Sequence, residues 1–371
     1  MKGKYLLLAA CFALSSAPMP AQGLKDAVGK YFLMGAALNT VQTGKGCDTM
    51  VTRTIETNFN CIVAENCMKP EAVQPEEGQF KWRKADRFVQ YGEEHGMTVI
   101  GHVLVWHAQT PDWFFKDSLG NPASKELLTA RMKTHIQTVM GRYKGRIKGW
   151  DVVNEAIEDD GTYRRSPWYE ILGPEYIEMA YRFAHEADPD AELYYNDFSM
   201  SMPAKRNKVC QVIGDLKKKG VRIDGIGMQS HNGLTWPSNE DYEASIDAYA
   251  ALGVKVMITE LDMNVLPNPE SFSGAEVSQS FEYSERMDPY KNGLPADTAR
   301  RINDRWVEFF GLYLRHAHQI SRVTLWGVSD AQSWMNDWPI EGRTAYPLLF
   351  DRQYRPKPAV AEIIQLYNSR K

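Results

Sequence analysis

The sequence has few cysteines, little net charge and no long hydrophobic run beyond its N-terminal segment. Its 371 residues include 5 cysteines and carry a formal net charge of −4 at pH 7. After residue 21, no stretch is apolar for long enough to cross a membrane. A basic stripe that could follow a phosphate backbone is also missing, which argues against nucleic acid as a partner.

Four cysteines remain after residue 21: Cys47, Cys61, Cys67 and Cys210. They are too few to form a disulfide framework in a chain of this length, and their spacing is not that of metal ligands. On an extended strand, Cys61 and Cys67 would lie roughly 20 Å apart, too far to bridge each other. We therefore interpret the cysteines as small and mostly buried apolar residues.

The N-terminal segment has the pattern of a secretory signal. Lys2 and Lys4 precede an apolar run, and small residues follow as far as Ala21. We therefore expect a signal peptide over residues 1–21 and a secreted or periplasmic protein. Lipoprotein processing at Cys11 is the alternative, but the apolar run continues past Cys11, which favours cleavage near Ala21.

Eight apolar segments bounded by turn residues follow, and we predict strands at 31–37, 59–66, 98–106, 149–155, 192–196, 225–231, 255–262 and 322–330. Most of the intervals show helical periodicity, such as the spacings of four and three from Leu128 to Tyr143. This alternation predicts an α/β fold, a closed (β/α)8 TIM barrel forming a single domain over residues 24–371. An open doubly wound sheet is the alternative, but its Gly-rich phosphate loop is absent.

Two of the predicted strands deliver a carboxylate. The runs Gly-Trp-Asp-Val-Val-Asn-Glu and Lys-Val-Met-Ile-Thr-Glu-Leu-Asp place Glu155 and Glu260 after apolar residues. A buried strand is a poor environment for an ionisable group, and the carboxyl ends of barrel strands share one face. Either run alone is consistent with a Glu that simply enters water. Together they favour one active site with two carboxylates.

The ends of the other strands collect polar and aromatic side chains. Amides, carboxylates and imidazoles can bind sugar hydroxyls, while indole rings cover the C–H faces of pyranoses. We therefore predict a glycan site from Glu65, Asn66, Lys69, His102, Trp106, Gln109, Asn154, Gln229, His231, Trp326 and Trp334.

A metal site is an alternative use of the histidines at these strand ends. His102 and His107 are five residues apart on one strand, so their side chains start on opposite faces, and no His-x-His pair is present. For His231 we predict a hydrogen bond to Glu260 on the neighbouring strand, with Asp262 fixing the ring. An imidazole bonded only to backbone is the alternative. We expect neither a metal nor a cofactor.

The segment 264–295, between the seventh and eighth strands, is rich in Pro, Asn, Ser and Gly. It is the first half of the interval between these strands, and we predict no helix in it. Because it leaves the carboxyl end of a strand, it should lie on the active face and form one wall of a cleft. A surface excursion without a role is the alternative.

Six ordered motifs resemble those of glycoside hydrolase family 10, the secreted endo-β-1,4-xylanases. They are AENCMKP at 64–70, GHVLVWHAQTP at 101–111, WDVVNEA at 150–156, GMQSH at 227–231, ITELD at 258–262 and WGVSD at 326–330. Two departures are mild: Ala108 stands where the family often has Ser, and Asn-Asp-Phe-Ser at 196–199 is a loose form of the strand-five motif. The resemblance implies hydrolysis of xylan with retention, and we expect a monomer.

The resemblance also implies roles for individual residues. Glu155 matches the acid/base and Glu260 the nucleophile. The residues that surround the sugar at the cleavage point are matched by Asn154, Gln229, His102, Trp106 and His231. Glu65, Asn66 and Lys69 match the residues that bind the next sugar toward the non-reducing end. Trp326 and Trp334 match the pair that covers the non-reducing side of the cleft. A β-1,4-glucanase or mannanase, a sugar-binding protein without catalysis and a metal hydrolase are the alternatives.

Overall fold

The computed structural model describes residues 22–272, 274 and 276–370. The predicted signal segment 1–21, including Cys11, lies outside these residues. Within the described part of the chain, no helix combines the length and apolar character needed to cross a membrane.

The described residues form nine strands, all paired in parallel: β1 Leu33–Leu38, β2 Cys61–Ala64, β3 Thr98–Val105, β4 Gly149–Asn154, β5 Glu192–Asp197, β6 Gly225–Met228, β7 His231–Gly233, β8 Lys255–Asn264 and β9 Ile320–Leu325. Pairing of β1 with β9 and of β6 with β8 closes the sheet. β6 and β7 are two parts of the predicted sixth strand. The predicted (β/α)8 barrel is therefore confirmed.

Helices lie before β1, in the intervals between strands and after β9: α1 Leu24–Val28, α2 Thr49–Asn58, α3 Pro70–Val73, α4 Arg83–Glu94, α5 Lys125–Arg142, α6 Pro167–Leu172, α7 Glu175–Ala187, α8 Pro203–Lys218, α9 Asn239–Ala250, α10 Ala296–Arg315 and α11 Pro358–Asn368. Their ends follow local chemistry. The Ser124 hydroxyl accepts a hydrogen bond from the Leu127 N–H at the start of α5. Gly220, with φ +72°, follows the end of α8 in the left-handed conformation that glycine favours.

The main core lies between the barrel and its helices, and packing there fixes how closely the strands approach. Trp150 on β4 is buried against Gly101 on β3. A Cβ atom at Gly101 would lie 2.1 Å from Cε3 of that indole, so only glycine fits beside it. Of the cysteines, Cys61 and Cys67 are buried as predicted, whereas Cys47 and Cys210 are only half-buried; all four are free thiols.

The seventh predicted strand is longer than the sequence pattern indicates. β8 continues beyond Asp262 to Asn264, because its last residues pair with β7. Glu260 therefore lies within the strand and not at its end. A register irregularity between Ile258 and Leu261 interrupts pairing with β9 at this point.

Candidate active site

An open cleft with a volume of about 470 Å³ lies at the carboxyl ends of the strands. Its lining contains every side chain that the sequence predicts for the site: Glu65, Asn66, Lys69, His102, Trp106, Gln109, Asn154, Glu155, Gln229, His231, Glu260, Trp326 and Trp334. The parallel barrel brings these residues together because all strand ends of one polarity meet on one face.

Glu155 immediately follows β4, and its side chain is held by neutral donors. The Trp106 indole N–H donates to Oε2 at 2.8 Å. The side-chain amides of Gln229 and Asn154 donate to Oε1 at 2.8 and 3.2 Å. His107 Nδ1 lies farther away, 3.7 Å from Oε2. With only 7% of the residue exposed, the carboxyl group is oriented by these contacts.

Glu260 has a different environment, because an imidazole reaches it. His231 Nε2 lies 3.3 Å from Oε2, and the Asn196 amide donates to Oε1 at 2.7 Å. Burial alone would raise the pKa of Glu260. The hydrogen bonds from His231 and Asn196 and the charges of His102 and His231 outweigh burial and hold this pKa below its usual value. The structure thus favours the ionised carboxylate.

His231 joins Glu260 to a second carboxylate, as the sequence predicts. Its Nδ1 lies 3.0 Å from Asp262 Oδ2. Burial would lower the pKa of His231, but the charges and hydrogen bonds of Asp262 and Glu260 raise it to about 10. The ring is therefore an imidazolium at neutral pH and donates from both nitrogens. The Trp334 indole N–H also donates to Asp262 Oδ2, at 2.8 Å.

His102 is held by a separate carboxylate inside the barrel. Its Nδ1 lies 2.9 Å from Asp151 Oδ2, and both side chains are buried. This contact fixes the ring orientation beside Trp326, whose ring centroid is 5.5 Å away. Among the described residues, no group of three or more His, Cys, Asp or Glu side chains is arranged to hold a metal ion.

A buried lysine organises the polar end of the cleft. Lys69 Nζ donates to Asn66 Oδ1 at 2.8 Å and to Gln109 Oε1 at 2.6 Å, and it lies 5.1 Å from the Trp106 ring centroid. Burial lowers the pKa of Lys69, although the charges of Glu260, Glu65 and Glu155 oppose this. Burial likewise raises the pKa of Glu65, against the charge of Lys69.

Aromatic side chains form another part of the cleft wall. The Trp334 and Trp338 rings are stacked, with centroids 5.0 Å apart, and Phe272 meets Trp338 edge-on at 5.1 Å. The Trp338 indole N–H donates to the Val277 carbonyl oxygen at 2.9 Å. Phe272 and Val277 belong to the segment 264–295 and line the cleft, so the prediction that this segment forms a wall is confirmed.

The chain matches the family model described as glycosyl hydrolase family 10 over residues 23–366. It belongs to this family. As a family 10 member, it is a glycoside hydrolase.

Three relatives of this family 10 hydrolase resemble it over nearly their whole length. The chain is 54% identical over 344 residues to endo-1,4-beta-xylanase A of Xylanibacter ruminicola, covering 93% of each protein. It is 39% identical over 349 residues to an endo-1,4-beta-xylanase of Geobacillus stearothermophilus, covering 92% of this chain and 98% of the other. A solved GH10 endoxylanase from a sugarcane soil metagenome superimposes with a TM-score of 0.89 at 47% identity, covering 93% of this chain and 100% of that one.

Several residues of the family 10 site were not proposed from the sequence. Asn196 donates to both Glu260 and Asn154, the latter at 2.9 Å, and so links β8 to the end of β4. Its position at the end of the predicted fifth strand is the signal that could have identified it. Trp236 and Trp338 also line the cleft, but they lie in loops without strand periodicity.

Proposed function

We propose that this family 10 hydrolase is an endo-1,4-β-xylanase that cleaves internal bonds of xylan with retention of configuration. Glu155 is the general acid/base and Glu260 the nucleophile. The observation that carries the proposal is the contrast between the two buried carboxylates. Glu260 contacts the imidazolium of His231, whereas the close donors of Glu155 are neutral. One site thus holds two carboxyl groups in different environments, as the separate roles of nucleophile and acid/base require.

In the first step, the Glu260 carboxylate attacks the anomeric carbon while protonated Glu155 gives its proton to the leaving oxygen. The leaving chain departs as an alcohol, and the xylosyl group is bonded to Glu260. Glu155, having given up its proton, is then a carboxylate. In the second step, Glu155 removes a proton from water, which displaces Glu260 and restores both groups. This double displacement predicts carboxyl groups about 5 to 5.5 Å apart.

The preference for xylose rests on the end of the cleft that binds the next sugar. Glu65, Asn66 and Lys69 present polar groups to ring hydroxyls. Trp334 is fixed by its stack on Trp338 and its bond to Asp262, so it cannot easily move away. We infer that Trp334 occupies the space that the CH2OH group of glucose requires. The names of the relatives support the same substrate.

Initial rates on xylan, mannan and carboxymethylcellulose test this function. Exclusion of the CH2OH group is worth about 1 to 3 kcal/mol, so kcat/KM should be roughly ten- to two-hundred-fold higher on xylan than on the glucan. Activity on the glucan equal to that on xylan would contradict the substrate assignment. The absence of any hydrolysis would support a binding protein instead, and loss of activity after exhaustive chelation would support a metal hydrolase.

Replacing His231 by asparagine tests the environment of the nucleophile. Without the imidazolium, the pKa of Glu260 should rise, so the acid limb of the kcat/KM profile should move to higher pH. The contribution of His231 to folding stability, in contrast, decreases as the pH rises. The pKa of His231 is raised from 6.5 to about 10, so its contribution is complete below 6.5 and is lost as pH rises through 10.

Two measurements check this prediction. The pH profile of kcat/KM should show the shifted acid limb in His231→Asn. The difference in melting temperature between the parent protein and His231→Asn should shrink as the pH rises from 6.5 past 10. An unchanged acid limb would show that His231 does not keep Glu260 ionised.

We also propose that residues 1–21 are a signal peptide, that the catalytic domain spans 24–371 and that the enzyme is a secreted or periplasmic monomer. The charged and apolar pattern of the N-terminal segment supports export. N-terminal sequencing and light scattering of the exported protein test this assignment.

A further inference from the structure

The backbone at Glu155 is unusual. Its φ is +57°, a left-handed conformation that long side chains seldom adopt. Such a conformation persists only where the surroundings impose it. Here the Glu155 N–H donates to the Asn196 carbonyl oxygen at 2.9 Å. The Glu155 carbonyl oxygen accepts from Arg164 Nε at 2.8 Å. Both peptide groups of the residue are therefore fixed.

Two side chains of β5 that do not line the cleft accept hydrogen bonds from the next two residues, Ala156 and Ile157. The Ala156 N–H donates to the Tyr195 hydroxyl oxygen at 3.3 Å, and the Ile157 N–H donates to Asp197 Oδ2 at 3.4 Å. The Tyr195 hydroxyl itself donates to the same Oδ2 at 2.5 Å. Because Tyr195 and Asp197 are two residues apart on one strand, they face the same side and act on consecutive peptide groups.

A buried ion pair fixes Asp197 in turn. Lys205 Nζ lies 2.8 Å from Asp197 Oδ1, and both side chains are 0% exposed. The same ammonium reaches Asp159, at 3.3 Å, on the loop that follows Glu155. Burying two charges is costly, and removing one partner leaves the other uncompensated. Apolar side chains could fill the same space without the cost of burying two charges.

We propose that Tyr195 and Asp197 are positioning residues for the acid/base, which they serve by holding the backbone of residues 155–157 so that the Glu155 carboxyl group points into the cleft. This inference rests on the proposed role of Glu155. Neither side chain lines the cleft, so their loss should slow only those steps in which Glu155 transfers a proton. A bond whose leaving group needs no proton should be cleaved almost normally in the first step.

The test is the variant Tyr195→Phe, which removes one hydroxyl and keeps the ring. We expect kcat/KM to fall about ten- to hundred-fold on a xylo-oligosaccharide, the cost of a small displacement of a catalytic group. On 2,4-dinitrophenyl β-xylobioside, kcat/KM reports the first step without acid assistance and should change less than about two-fold. The matched control is Tyr367→Phe, a buried hydroxyl that donates to the Phe310 carbonyl oxygen at 2.9 Å away from the cleft.

A second variant keeps the test decisive if Tyr195→Phe is unstable. Asp197→Leu combined with Lys205→Met removes both buried charges, leaves neither unpaired and also removes the oxygen that accepts from the Ile157 N–H. It should show the same dependence on the leaving group, with an unchanged Kd for xylo-oligosaccharide. Equal losses on both substrates, or no loss on either, would overturn the inference.

Glu155→Ala measured in parallel separates this inference from the proposed function. If the loss of kcat/KM in Glu155→Ala depends on the leaving group and the loss in the two positioning variants does not, only the positioning role is overturned. If Glu155→Ala shows no such dependence, the acid/base role fails, and the positioning role fails with it.

Discussion

Glu260→Ala is expected to lose the first chemical step on every substrate, with kcat/KM lower by roughly 10⁶-fold. The reason is that no leaving group, however activated, can replace a missing nucleophile. Dinitrophenolate release from 2,4-dinitrophenyl β-xylobioside measures this step directly. The loss should be as complete on this substrate as on xylan.

Glu192→Gln is a matched control for Glu260→Ala. Glu192 is also a buried carboxylate on a strand, but it lies at the start of β5, on the opposite side of the barrel from the cleft. It is paired with Lys148 and Lys255, each at 2.8 Å. Its replacement should lower the melting temperature and leave kcat/KM within about two-fold, as expected for a change outside the site. Substantial dinitrophenolate release by Glu260→Ala would remove the nucleophile assignment.

Glu155→Ala is expected to separate the two steps of the reaction. On xylan, kcat/KM should fall by about 10²- to 10⁴-fold, because the leaving alkoxide then departs without a proton. On the dinitrophenyl substrate the first step needs no acid and should persist, while the second step slows because water has lost its base. The variant should therefore release a burst of dinitrophenolate and stall as the glycosyl-enzyme. A small anion such as azide needs no base and should restore turnover.

The assignment of the two glutamates depends on this difference. If Glu155→Ala and Glu260→Ala behaved alike on the activated substrate, the roles would be wrong. The anomer released first is an independent check, because a double displacement retains configuration. Proton NMR during early xylan hydrolysis should show the β-anomer first; the α-anomer would contradict retention.

The barrel and most of the site could be predicted because they depend on local patterns. Apolar runs bounded by turn residues identify strands, and a parallel barrel places all carboxyl ends on one face. Glu155 and Glu260 are therefore predicted to share a cleft without any knowledge of their contacts. The hydrogen bonds of His231 to Glu260 and Asp262 could also be predicted, because consecutive strands of a barrel are neighbours.

No comparable sequence pattern predicts the contacts between loops. Trp338 is 66 residues from Phe272 and lies outside any strand, yet it meets Phe272 and stacks on Trp334. No periodic pattern connects residues in irregular segments, because their positions follow from how the loops pack on the finished barrel. The wall formed by segment 264–295 was predictable, whereas the partner it contacts was not.

By itself, the amino-acid sequence determined the barrel, the face that carries the chemistry and the two carboxylates, since these follow from residue type and spacing along the chain. Only the tertiary structure decided the backbone around the two carboxylates. The irregular register of β8 and the left-handed backbone of Glu155 arise where distant strands meet. The charge, burial and backbone strain of residues where strands meet depend on the register of those strands at the ångström scale, which a local sequence pattern does not encode.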